Sequence, residues 1–203
     1  MSGPMSDARK DTTLAHLRLA EAGKLAALRA DHRTALGHYR EAMRIAVTSG
    51  APEVFFRHYL EAALESLELL EAFDDVLAYC TKAIEHYATR PPEHAVAELD
   101  LAWIHQRRGC VLLKRGELAL AKASLEQAIA GAARIDVQLP LAARLLDWLR
   151  RGLAVTKHRV LAEQRRLRYF SVRPDTVGVL PGVAPPPAAP PTDHRPEGDA
   201  TCR

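Results

Sequence analysis

Residues 23–42 read GKLAALRADHRTALGHYREA, and the fold follows from how this stretch recurs. Gly23 is followed twelve positions on by Ala35, then by Tyr39 four further and Ala42 three further. That 4 and 3 spacing puts the last three residues on one face of a helix. Residues 109–128, GCVLLKRGELALAKASLEQA, carry the same frame as Gly109, Ala121, Leu125 and Ala128. A weaker copy lies between them as Leu64, Val76, Cys80 and Ala83. Small residues where two helices cross let the backbones approach, and a larger side chain one turn on fills the gap. Each copy therefore reads as a helical hairpin. No hairpin can bury its apolar face alone, so the hairpins stack.

Turn residues divide the rest. Asp31 is an N-cap after Ala30, and Asp74 takes that part after Phe73. Ser49-Gly50 ends one helix and Pro52 opens the next, as Arg90-Pro91-Pro92 does later. Gly116 separates two more runs, and Pro140 opens the last. Helices are expected near 13–30, 32–49, 52–72, 74–89, 92–115, 117–132 and 140–169, with no strand. Residues 1–12 are polar and expected to be disordered. From Pro174 to Arg203 eight of thirty residues are proline. Proline fixes φ and removes a donor, so residues 170–203 are expected to form a disordered Pro-rich tail outside the helical domain 13–169.

Composition agrees with an all-α chain. Hydrophobic residues make up 48% of the sequence but aromatics only 5%, so alanine and leucine supply the apolar surface. That mix suits close-packed helices rather than a β-sandwich. Cys80, Cys110 and Cys202 are odd in number and widely spaced, neither a disulfide framework nor a zinc signature. No apolar run reaches the roughly 18 residues of a membrane span, and Met1 to Lys10 lacks the apolar region of a secretory signal. These features point to a soluble, cytoplasmic protein.

The repeated residues resemble the tetratricopeptide repeat family, in a long-helix variant. The best-matching stretches are Gly23-Lys24-Leu25-Ala26 through Ala42, and Gly109 through Ala128-Ile129. The middle copy departs from the pattern, with Leu64 for glycine and Cys80 for an aromatic. The steps between copies are 41 and 45 residues, against the family period of about 34. The resemblance implies a right-handed stack of three hairpins with a C-terminal capping helix. It implies a groove lined by the first helix of each hairpin, which would hold Lys24, His58, Glu61, Glu65, Glu68, Gln106, Arg107, Cys110 and Lys114. The family's best-known groove clamps a C-terminal carboxylate with Lys, Asn and Arg. This sequence lacks those asparagines and is acidic in the middle, so the expected ligand has a basic centre and an acidic group reaching Lys24 or Arg107.

The sequence contains no phosphate-cradling glycine loop, no His-Glu-x-x-His, no Gly-x-Ser-x-Gly and no Cys-x-x-Cys. No catalytic residue, metal site or cofactor is expected. Residues 138–173 carry nine Lys/Arg against two Asp/Glu, whereas the remainder carries nineteen against twenty-three. This basic stretch reads as a solvated cap on the stack. Nucleic acid is not the expected partner, because the acidic body opposes it and aromatics for base stacking are confined to Tyr169-Phe170. The leading expectation is an adaptor or scaffold that binds a peptide or partner protein. A cytoplasmic secretion or assembly chaperone is one alternative, and a regulator acting through the basic stretch is another.

Overall fold

Three connections of one backbone form set the fold. Helix α1 (Pro4–Leu28) ends in a turn where Ala30 has φ 61° and the Asp31 amide donates to the Ala26 carbonyl at 3.0 Å, before α2 (His32–Thr48). Helix α3 (Glu53–Leu69) ends in the same way, with Glu71 at φ 61° and Ala72 N donating to Leu67 O at 3.0 Å, before α4 (Phe73–Thr89). Between α5 (Ala95–Arg115) and α6 (Leu118–Ala133), Gly116 has φ 81° and Glu117 N donates to Leu112 O at 2.9 Å. A left-handed residue reverses the chain while the following amide satisfies an orphan carbonyl of the last turn. The three turn residues stand seven positions after Gly23, Leu64 and Gly109.

The chain is completed by α7 (Pro140–Arg150), α8 (Lys157–Arg166) and a short 3-10 turn, Pro174–Thr176. This computed structural model describes residues 4–178, with side chains from Leu14 onward. Among the described residues there are eight α-helices and no strand, and no helix is long and apolar enough to cross a membrane.

Packing follows the small-and-large pattern. Ala35, Tyr39, Ala42, Val76, Cys80, Ala121, Leu125 and Ala128 have no solvent exposure. A Cβ on Gly23 would stand 2.6 Å from the Tyr39 ring, and one on Gly109 would stand 2.7 Å from the Leu125 side chain. Only hydrogen fits at either crossing. Leu64 takes the corresponding place in the middle pair, and there the two helices touch least; α4 packs mainly on α5. At the N-terminal end, buried His16 bonds through Nδ1 to the Tyr59 hydroxyl at 2.7 Å and ties α1 to α3.

Several boundaries differ from expectation. The single helix expected over 140–169 is two helices. Gly152, at φ 62°, ends α7, and the Thr156 hydroxyl accepts from Arg159 N at 3.2 Å to cap α8. Helix α1 runs back to Pro4, where an unstructured segment up to residue 12 was expected; proline's fixed φ suits a first helical position. Asp74 is inside the first turn of α4, not at its cap, and pairs with Arg115. Residues 170–178, expected to be tail, lie against the helices. Residues 1–3, and 179–203 with Cys202, fall outside the described residues.

Candidate partner-binding groove

Glu68, in the last turn of α3, is a fully buried acidic residue. Such a group persists only if it is paired and hydrogen-bonded. Lys114 Nζ of α5 donates to its Oε1 at 2.8 Å, and Gln164 Nε2 of α8 donates to the same atom at 2.7 Å. The Tyr169 hydroxyl donates to its Oε2 at 3.0 Å. Arg107, two turns before Lys114 on the same helix, reaches Glu61 Oε2 at 2.6 Å, and its guanidinium lies 5.6 Å from the centre of the Tyr169 ring. Burial works against its charge, but Tyr169 and the carboxylates of Glu61, Glu68 and Glu65 outweigh that and hold Arg107 firmly protonated.

One turn earlier on α3, Glu65 is also buried. Its two oxygens accept main-chain amides, Ser171 N at 2.5 Å and Val172 N at 3.1 Å. Burial raises its pKa above the usual glutamate value, opposed by Arg107 and by these amides. The chain reaches this place because Arg168 adopts φ 53° after α8, with Tyr169 N closing onto Gln164 O at 2.9 Å. From there the segment Tyr169–Gly178, here termed the strap, crosses the first helices in an irregular path. Lys24 Nζ of α1 donates to Thr176 O at 2.8 Å and to Glu21 Oε1 at 2.8 Å. Glu21 Oε2 accepts from Gly178 N at 2.7 Å.

The strap divides the groove. On one side is a cavity of about 350 Å³ between the α1–α2 turn, α3 and α8, lined by Ala27, His32, Ser66, Leu69, Gln164, Arg165 and Phe170 among others. On the other is a cavity of about 430 Å³ bounded by α3, α4, α5 and the start of α7. His58, Glu61, Glu65, Gln106 and Arg107 line the second, together with Tyr79, Trp103 and Leu139–Leu141. Trp103 is half exposed at 51%, and the buried Nη1 of Arg107 lacks a hydrogen-bond partner among the described residues.

The nine residues selected from sequence therefore part company. His58, Glu61, Glu65, Gln106 and Arg107 meet at the larger cavity. Glu68 and Lys114 form the ionic centre under the strap, and Lys24 holds the strap's far end. Gln106 also accepts Ala142 N at 3.2 Å, fixing α7 to α5. Cys110 has no exposure, and burial pushes its thiol well above the ordinary range, while Cys80 is pushed up to about 12. Neither thiol is a nucleophile. The groove residues that sequence reading missed are Glu21, Gln164, Tyr169 and the strap backbone. The sole signal for them was the aromatic pair Tyr169-Phe170 next to the proline-rich region.

The basic stretch is largely paired. Arg144 and Arg166 contact Glu163, Arg150 contacts Glu126, Arg151 contacts Asp147, Lys157 contacts Glu71 and Arg168 contacts Asp175. Arg159 stacks on Trp148, 4.1 Å from the ring centre. Compared with family models, with curated proteins and with solved structures, the chain shows no significant match to any.

Proposed function

We propose that this chain is a tetratricopeptide-like interaction module, an adaptor or scaffold that receives an extended segment of a partner protein in the groove of α1, α3 and α5. The observation that carries the reading is that this groove already holds an irregular polypeptide segment, in good part through its main chain: Glu65 takes two amides and Lys24 a carbonyl. Side chains that read a backbone suit a peptide ligand rather than a small-molecule substrate. The three turns of one form and the two glycine crossings support a right-handed stack of three hairpins closed by the C-terminal helices. No catalytic role is assigned to any residue.

The expected ligand with a basic centre is narrowed by the pairing. Glu65 and Glu68 are buried, whereas Glu61, though paired with Arg107, keeps a partly exposed side chain, so Glu61 and the rim of the larger cavity are what a partner meets first. A secretion or assembly chaperone would use the same groove. The ion pairs along residues 144–168 weigh against the regulator reading, because they cancel much of the charge that would attract an acidic ligand.

The test is capture of partners from native lysate by the wild-type chain and by His58→Ala/Trp103→Ala. Both positions are exposed, so stability should shift by no more than about 0.5 kcal/mol each. The partner should be lost from the folded double variant. A partner retained undiminished would remove the larger cavity from the binding surface.

A further inference from the structure

Resting on that reading, we propose that the strap is a built-in placeholder for the partner, and that the partner segment is an extended chain presenting a tyrosine hydroxyl to Glu68 followed by two free amides for Glu65. The groove's contacts to the strap divide into two kinds. Those at Glu65, Lys24 and Glu21 engage only main-chain atoms. The two amides at Glu65 can come from any segment without proline at those positions, whereas the Lys24 contact is to the Thr176 carbonyl within the 3-10 turn. The contact at Glu68 needs a side-chain donor on an aromatic ring, since Tyr169 places its hydroxyl 3.0 Å from Oε2 with the ring under the Arg107 guanidinium. A phenylalanine fits beside it, with Lys114 Nζ 6.0 Å from the Phe170 ring centre. The groove is thus tolerant of sequence along most of its length and selective at one position.

The strap's own construction makes it exchangeable. Its fold is local, with Thr176 Oγ1 accepting from Arg173 N at 2.9 Å and the Ser171 and Arg173 carbonyls both within 2.9 Å of its single hydroxyl donor. The strap's apolar contacts are Tyr169, Phe170 and Val172, all only partly buried, so the hydrophobic contribution is smaller than that of a core helix. Loss of the strap removes the two amide donors of Glu65, and an incoming segment with two free amides restores them. A tethered occupant acts at an effective concentration of about millimolar. A partner binding with the same contacts is therefore weakened by the fraction of time the strap is in place.

The probe is a fluorescein-labelled peptide spanning 167–178, titrated against the full chain and against Ser171→Pro, which removes one amide donor to Glu65. Amide exchange at Val172 reports whether the strap is released. Binding to the released variant should be about tenfold or more tighter than to wild type. A Tyr169→Phe peptide should bind several-fold more weakly, and a scrambled peptide should not bind. If Ser171→Pro does not fold, Tyr169→Ala takes its place with the same expectations. A folded, released variant that binds the peptide no better than wild type overturns the proposal. So does a strap that stays protected in both variants. If the peptide fails while His58→Ala/Trp103→Ala still abolishes partner capture, the placeholder falls and the groove stands.

Discussion

Glu65 and Glu68 share one face of α3, and their spacing made that plain. The same spacing reads as a solvated acidic face, and both side chains are in fact buried. What buries them is a segment about a hundred positions away, and no local periodicity reports such a cover. For Glu68 the consequence is energetic. Glu68→Ala would leave Lys114 and Arg107 buried with fewer counter-charges. It should cost about 3–5 kcal/mol by chemical denaturation, with Glu68→Gln costing less. A loss under about 1 kcal/mol would place the cluster in water. For Glu65 the consequence is a pH dependence. Its folded pKa is raised, so from about 4.5 upward the unfolded chain gives up a proton that the folded chain keeps. That contribution is fully present below pH 4.5 and is lost as pH rises through the folded value. Denaturation midpoints measured across that window should fall more steeply for wild type than for Glu65→Gln, and parallel curves would contradict the burial.

At the scale of elements, the sequence marks the turns, and it also marks the break between α7 and α8. Gly152 follows two arginines and Thr156 stands where a cap is needed, so the signals separating α7 from α8 were present. An apolar stripe that runs through both helices masks them. The proline-rich composition likewise drew the boundary near 170, although prolines are spread through a region whose first part can still dock by its backbone. Two substitutions test the elements directly. Ala30 holds φ 61°, a region that costs a residue with a Cβ about 1–2 kcal/mol. Ala30→Gly should therefore raise stability by up to about 1 kcal/mol, whereas a helix-interior glycine would lower it. Ala121 has no exposure and faces the crossing with α5. Ala121→Leu should cost roughly 1–3 kcal/mol by overpacking, and a neutral result would displace the register from Gly109.

For the whole molecule, the sequence carried the helical class, the glycine crossings and five of the residues that line the larger cavity. It did not carry the occupation of the groove, because the ion pairs and main-chain bonds that define it join α1, α3, α5, α8 and the strap only in three dimensions. The charge asymmetry read from composition is real, but its electrostatic effect is reduced by pairing on the surface. Binding of duplex DNA should accordingly be weak and lost at physiological salt; tight binding there, abolished by Arg165→Glu, would restore the regulator reading. The most direct measurement is residue-resolved hydrogen exchange at the Ser171 and Val172 amides, in wild type and in Glu65→Ala. If the groove holds the strap by its main chain, both amides exchange slowly in wild type and much faster in the variant, while core amides of α5 remain protected. Free-chain exchange at Ser171 and Val172 in the wild-type protein would contradict it.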